Sequence, residues 1–361
     1  MTLRVMQVLH QGSGAGSVTS TLHLSLGLAA VGLHIRFVCP PASEVEALAR
    51  SGGLEVHSVS LWPRRNRANA AALAALLARH PVDLVNSQSS RDRKALAWLA
   101  LIGRLPVPLI VTRRQMPRTL PIENWLVSRI ATRVVAVSRA IGEALARRGT
   151  PRNKLVVIPN GLVLDRVDAP FPGNAVDEWR ARIGWEPSRR TIGIVARLKD
   201  HEVVLRALDR VSVPLRLVLA GVEPNSGLGS LIERIPARHA VVLLPFLPEV
   251  RPLYELLELV LLPSRMEGVS QALLEAMALG KPVLASAAAG NLDLITDGVD
   301  GRLVEPLDPS AWARAIEELL ADPTRANRLG AAASHTARET YHLERTVKRT
   351  AELYRSLCCV T

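Results

Sequence analysis

Leu259-Val260-Leu261-Leu262-Pro263-Ser264-Arg265-Met266-Glu267-Gly268-Val269-Ser270-Gln271-Ala272-Leu273-Leu274-Glu275-Ala276-Met277-Ala278-Leu279-Gly280-Lys281-Pro282-Val283 is the stretch that decides the fold. Leu259–Leu262 is apolar throughout, the pattern of a strand buried on both faces. A glycine-containing loop follows. From about Ser270 the residues read as a helix that Gly280 and Pro282 stop, with Ser270 placed to cap the free amides at its start. Strand, loop and helix in this order aim backbone N–H groups and a positive helix end at one point, which suits a phosphate. The helix is apolar on nearly every side and therefore buried, and Glu275 is buried with it. A carboxylate there is costly unless it is paired or hydrogen-bonded. Hydroxyl groups of a ligand would satisfy it, and so would an arginine in a structural ion pair. Glu267, in the loop, points into the same corner or is a plain exposed acid.

Working outward, the same alternation fills the chain. Strands are expected at Leu3–Leu9, His34–Cys39, Leu54–Val59, Val82–Asn86, Leu109–Thr112, Arg133–Val137 and Leu155–Ile158, with helix-length amphipathic stretches between most of them. Apolar strands separated by helices imply a parallel sheet covered on both faces, wound doubly by right-handed crossovers. Ala169-Pro170-Phe171-Pro172-Gly173-Asn174 reads as a linker, and the alternation restarts after it with strands at Thr191–Ala196, Leu215–Ala220, Val241–Leu244, Leu259–Leu262 and Val283–Ala285. The fold class is thus α/β, with two Rossmann-like doubly wound domains and a ligand cleft at the carboxyl ends of their sheets. The expected division is 1–168, completed by a final helix within 341–361, and 169–340.

Composition narrows the function. With 361 residues, 48% apolar and 22% charged, the chain is an ordinary globular protein and not a disordered or collagen-like one. No apolar run is long enough to span a bilayer, and Val5–Leu9 is too short for a signal-peptide core. Three cysteines give neither a disulfide framework nor metal-ligand spacing, so the expected setting is the reducing cytoplasm, with no metal. The net charge of +12 is unevenly placed: residues 1–170 hold 22 Lys+Arg against 9 Asp+Glu, and residues 171–361 hold 23 against 24. A basic half of this kind seeks phosphate, on an anionic membrane, an acidic small molecule or a nucleic acid. Only 12 aromatic residues and no recognisable module argue against nucleic acid.

Glu267 and Glu275, with seven residues between them and followed by Ala276-Met277-Ala278-Leu279-Gly280-Lys281-Pro282-Val283, resemble the double-glutamate signature of retaining GT-B glycosyltransferases, specifically glycosyltransferase family 4. The resemblance extends to Ala136-Val137-Ser138, Ile158-Pro159-Asn160-Gly161, Asn291–Leu294, Asp297-Gly298, Gly301–Val304 and the Tyr341–Leu357 segment, and so covers nearly the whole chain. It implies that Glu275 binds the ribose of a nucleotide sugar, and that Glu267, Gly268, Val269 and Ser270 hold the sugar and diphosphate. Arg197 matches the diphosphate arginine, and Lys199 the lysine that follows it. Here the Arg197–His201 turn is short, and Asp200 stands where the family usually has glycine. Gly14 and Gly16 fall in the loop that approaches donor and acceptor. Arg91, Arg93, Arg113 and Arg114 are expected on the acceptor side, with Arg114 where relatives often carry histidine.

The implied reaction moves a sugar from a nucleotide-diphosphate donor, UDP- or GDP-linked first, to a glycan or lipid-linked acceptor of a bacterial surface polysaccharide or lipopolysaccharide. Anomeric configuration is retained, the departing phosphate helps to take the acceptor proton, and no cofactor is needed. With no Asp-x-Asp motif, metal-independent transfer is expected. The basic half implies contact with the inner face of an anionic membrane. Two alternatives stand beside this: a sugar-nucleotide epimerase of the same fold, and a nucleotide-sugar-binding relative weakened at Asp200.

Overall fold

The computed structural model describes residues 2–13, 16–117 and 121–358, and the chain forms two compact units: Met1–Gly161 with His342–Thr361, and Leu162–Tyr341. The first unit carries 25 Lys+Arg against 9 Asp+Glu and the second 20 against 24, so the charge asymmetry follows the division of the fold.

The first unit holds a parallel sheet of β1 (Arg4–Val8), β2 (His34–Cys39), β3 (Glu55–Ser58), β4 (Leu84–Ser87), β5 (Leu109–Arg113), β6 (Arg133–Ala136) and β7 (Leu155–Val157). Their spatial order is β3-β2-β1-β4-β5-β6-β7. The second unit holds β8 (Arg190–Val195), β9 (Leu215–Ala220), β10 (Ala240–Leu244), β11 (Leu259–Leu262), β12 (Val283–Ser286) and β13 (Arg302–Val304), in the order β10-β9-β8-β11-β12-β13. β9 and β11 are buried along their whole length; β11 is apolar throughout, while β9 carries the buried Arg216, which donates to Glu186. Each sheet reverses its winding once, between β1 and β4 and between β8 and β11. The crevice at the carboxyl ends of such strands is the ligand position of doubly wound folds.

Two expectations about organisation change. The second domain has a sixth strand, β13, which opens on Arg302 and has only Leu303 and Val304 as apolar residues, so it shows no apolar run in the sequence. The domain boundary falls at Gly161/Leu162, earlier than 168/169. Helices Leu164–Asp168 and Ala175–Ile183 flank the proline-rich stretch, and Arg251 fastens that stretch to the second unit. Its guanidinium donates to the carbonyls of Arg166 and Ala169 and lies 6.0 Å from the Phe171 ring centre. Composition marked a real loop, but one that belongs inside the second unit.

The last helix, Leu343–Cys358, packs into the first unit. It buries Thr346, Val347, Thr350, Ala351 and Tyr354, an i, i+1, i+4, i+5, i+8 stripe along one face. The Tyr354 hydroxyl accepts hydrogen bonds from Gln7 (3.0 Å) and Asn86 (2.6 Å), on the two strands that flank the winding reversal.

Candidate functional site

In the second unit the chemistry lies on the loops that leave β8 and β11. Arg197, two residues past β8, is exposed and bonds to no other described residue through its side chain. The Lys199 ammonium pairs with a Glu267 carboxylate oxygen, so the two residues share one corner. Asp200 is neutralised. It accepts from the Arg265 backbone N–H (2.9 Å) and from the Arg265 guanidinium (2.9 and 3.2 Å). Partial burial opposes its ionisation, but the Arg265 bonds outweigh burial and hold the carboxyl below its ordinary value. The acid that stands in place of glycine is therefore a clamp between the β8 and β11 loops. His201 beside it is buried, which pushes its imidazole down to about 4 and keeps it neutral.

The loop after β11 is held from behind. Asn291 donates to the carbonyls of Ser264 (3.2 Å) and Ser286 (3.0 Å), and the Ser286 hydroxyl donates to the Pro263 carbonyl (2.5 Å). Gly290 donates to the Glu267 carbonyl (3.1 Å), and a Cβ at Gly290 would lie 1.4 Å from the Gly268 carbonyl oxygen. Only glycine permits that approach. Ser270 caps helix Gln271–Ala278, its hydroxyl accepting from Leu273 N–H (3.3 Å). The N–H groups of Gly268, Val269 and Ser270 donate to no other described residue. Three adjacent donors and a capped helix start are the groups with which a backbone can hold an anion.

Glu275, one turn into that helix, has a side chain only 14% exposed. Burial pushes its carboxyl above the ordinary value; Arg166, 3.6 Å away, and Arg251 lower it without cancelling the effect, and Glu249 adds to it. Of the two partners foreseen for this residue, the arginine is present, but no hydrogen bond joins it to the carboxylate. Its oxygens are suited to accept from hydroxyl groups.

The first unit contains a separate cavity of about 220 Å³ at its own winding reversal, lined by His10 and Gln11 after β1, Gln88 and Ser89 after β4, and Arg113 and Arg114 at the end of β5. Arg93 and Ser17 also line it. Arg114 is almost wholly buried, bonds to Gln88 and leaves its Nε without a partner; burial pushes its guanidinium down to about 10. Arg91 does not reach the cavity. The Arg91–Lys94 stretch is the first turn of helix Ser90–Leu101, where residues two apart lie about 200° apart around the axis. Arg93 turns to the cavity, whereas Arg91 donates to the Leu61 carbonyl (3.0 Å). Gly16 opens helix Gly16–Ala30, and Gly14 lies outside the described residues.

The roles of one lining residue, His10, and of the buried Asp92 behind it escape a reading of the sequence. Asp92 is fully buried and accepts from Ser87 Oγ (2.9 Å), Gln88 N–H (2.8 Å) and Ser89 N–H (2.8 Å). His10 Nδ1 lies 3.1 Å from Asp92 and 2.5 Å from Ser89 Oγ. An ionised carboxylate only accepts, so Nδ1 carries the proton and the Nε2 lone pair is left for the cavity. Nε2 can accept a hydrogen bond from a ligand hydroxyl. In the structure Ser89 and Asp92 form the capping box of helix Ser90–Leu101, and nothing in the sequence links position 92 to position 10.

Residues 14–166 match the family described as Glycosyltransferase Family 4, and residues 175–336 match Glycosyl transferases group 1. The two matches fall on the two units in turn. The chain belongs to the group 1/family 4 glycosyltransferases. It is similar to a D-inositol 3-phosphate glycosyltransferase of Corynebacterium urealyticum, 29% identical over 65% of this chain and 59% of that one. It is 31% identical to the enzyme of the same name from Xylanimonas cellulosilytica, over 67% of this chain and 64% of the relative. The chain thus spans about three-fifths of the length of these relatives. Anabaena Alr3699/HepE, described in complex with UDP-glucose, has the same fold, with a TM-score of 0.85, 19% identity and coverage of 98% of this chain and 100% of that one. The fold of this glycosyltransferase is GT-B. Its candidate polar groups concentrate where doubly wound sheets place ligands, on loops at the carboxyl ends of strands beside a winding reversal.

Proposed function

We propose that the chain transfers a sugar from a nucleoside-diphosphate sugar to a polyhydroxylated, anionic acceptor on a glycan or lipid carrier, with retention of anomeric configuration and without a metal. The observation that carries this is the β11 loop, with three backbone donors, Lys199 paired to its Glu267 and an under-compensated Glu275 one turn further on. These are the partners that a diphosphate and a ribose require. Lys199 and Arg197 would balance the charge that develops on the leaving diphosphate, and the Gly268–Ser270 amides would meet its oxygens. Glu267 would hold the sugar, and Glu275 the ribose hydroxyls. Catalysis then rests on positioning and charge stabilisation, the leaving phosphate helping to take the acceptor proton. UDP is the first nucleotide to test, because the Anabaena protein of the same fold is described with UDP-glucose.

For the acceptor, the first unit offers Arg93, Arg113 and Arg114 to an anionic group and His10 Nε2 to a hydroxyl. The names of the curated relatives, inositol 3-phosphate glycosyltransferases, fit such a pairing of phosphate with polyol. The reading is tested by supplying UDP-glucose and related donors with phosphorylated polyols and lipid-linked sugars, and following the product by NMR. An α-linked product from an α-linked donor supports it. An inverted linkage overturns retention, and a donor sugar returned epimerised with no acceptor product replaces transfer by epimerisation.

Glu275→Ala separates a ligand role from a structural one. Because burial leaves this carboxylate under-compensated, its removal should leave the thermal transition unchanged or slightly raised. Nucleoside-diphosphate affinity should fall by roughly 10- to 100-fold, the loss of one or two charged hydrogen bonds at about 1.5 kcal/mol each. Calorimetry on the folded variant checks both. A collapsed transition with affinity intact would make Glu275 a structural residue.

No helix among the described residues is long and apolar enough to cross a membrane. Peripheral contact at the inner face of the cytoplasmic membrane is part of the proposal, and it rests on exposed aromatics set among arginines in the first unit. Trp62, Trp98, Ile122 and Trp125 are all exposed, with the Arg67 guanidinium 5.9 Å from the Trp98 ring centre and that of Arg129 5.3 Å from the ring centre of Trp125. Co-sedimentation should show binding to vesicles that contain an anionic phospholipid, weaker binding to neutral ones and release by salt. Equal binding to both vesicle types would remove the charge argument.

A further inference from the structure

Away from the cavity, one edge of the first sheet gathers three of the chain's nine histidines around a glutamate. The pleat explains why. His34 and Arg36 are two apart on β2, Glu55 and His57 are two apart on β3, and Arg36 is the register partner of Glu55, so all four side chains leave one face. His80, directly after helix Asn66–Arg79, reaches the same face. His57 Nε2 lies 2.9 Å from Glu55 Oε1, and His80 Nδ1 lies 3.8 Å from the same oxygen. One ligand atom from each of these three residues falls within 4.8 Å of the others. The two imidazole rings are 4.2 Å apart between centres and tilted by 48°, and the His80 ring makes no hydrogen bond to another described residue.

We propose that Glu55, His57 and His80 bind a divalent transition metal of the zinc class. Donors around a tetrahedral zinc lie about 3.3 Å apart, given bonds of about 2.0–2.1 Å, so small side-chain rotations close the three groups onto one ion. Two imidazoles and a carboxylate suit zinc, cobalt or nickel better than magnesium or calcium. Glu55 also accepts from His34 Nε2 (2.6 Å) and Arg36 Nε (3.0 Å), which fix its orientation from outside, as outer partners do at metal sites. The His57 Nε2 proton gives way to the metal, so binding releases that proton or moves it to Nδ1. The ion would tie edge strand β3 to the segment that enters β4. The site is separate from the donor and acceptor groups and does not depend on their reading.

The test uses the full chain, free of any histidine tag and stripped with EDTA. Cobalt(II) titration should give the visible absorption of a tetrahedral complex at one equivalent, and zinc should raise the thermal transition. His57→Ala and His80→Ala should each weaken binding at least about 10-fold, while the exposed His335→Ala leaves it unchanged and UDP titration behaves as in the parent chain. Glu55→Gln is the second variant should either alanine fail to fold by circular dichroism. Absence of metal binding at micromolar protein, or binding that survives loss of both His57 and His80, would overturn the proposal.

Discussion

Gly290→Ala should impair donor binding more than any other single methyl group added to the second unit. The backbone of Gly290 is ordinary, with φ of −69°, so the glycine is needed for space. Its Cβ would fall 1.4 Å from the Gly268 carbonyl oxygen and 2.5 Å from the carbonyl carbon, and backbone cannot rotate away as a side chain can. The loop must retreat by more than an ångström, carrying the Gly268 and Val269 amides with it. Overpacking of this kind costs about 1–3 kcal/mol of stability. A displacement of about 1 Å at a positioning group can cost roughly 100-fold in turnover. Calorimetric titration with UDP and a donor-turnover assay check the effect. Gly173→Ala, with open space around its Cβ position, is the control and should change neither. Unaltered affinity in a folded Gly290→Ala variant would remove the β11 loop from the donor site.

Asp92→Ala is expected to be the most destabilising single truncation among the polar groups of the first unit. The carboxylate satisfies Ser87, two backbone N–H groups and His10, and its loss strands all of them in the interior. Breaking a buried network of this sort costs about 3–5 kcal/mol, roughly 6–20 °C in the transition of a unit this size. Burial alone would raise the Asp92 carboxyl, but the hydrogen bonds from His10 and Ser89 hold it below its ordinary value. A group with a lowered folded pKa stabilises fully above its unfolded value, about 3.9, and loses that contribution as pH falls through the folded value. The gap between parent chain and variant should therefore be constant from about pH 5 upwards and shrink below about pH 4, as read from thermal melts across that range. A gap independent of pH would mean that Asp92 fills space and contributes no charge.

Much of this was legible in the sequence because it is local. The apolar run of β11, the cap at Ser270 and the stop at Gly280 are set by neighbours in the chain, and the structure places them where the local pattern does. Burial of Glu275 followed from the apolar helix around it. Contacts across long sequence separations were not legible. Asp200 looked like an acid opposing a diphosphate until Arg265, sixty-five positions away, was found against it. His10 reads only as the end of an apolar run, because the carboxylate that fixes its tautomer is eighty-two positions on. Arg91 and Arg93 look alike in sequence, and the helical turn sends them to different surroundings. The proline-rich stretch misplaced the boundary because a loop's composition says nothing of what it packs against, and here Arg251 decides.

The donor site in the second unit is the central claim, and a ligand panel tests it most directly. The full chain would be melted with UDP, GDP, ADP, dTDP and CMP, each with and without EDTA, alongside Glu275→Ala. A ligand at about 100 times its Kd adds roughly 2.7 kcal/mol, a rise of about 5–10 °C for a unit of 150–250 residues. The account predicts such a rise for one nucleoside diphosphate, UDP first, undiminished by EDTA and largely lost in Glu275→Ala. No rise with any nucleotide, or a rise that Glu275→Ala keeps in full, would contradict it.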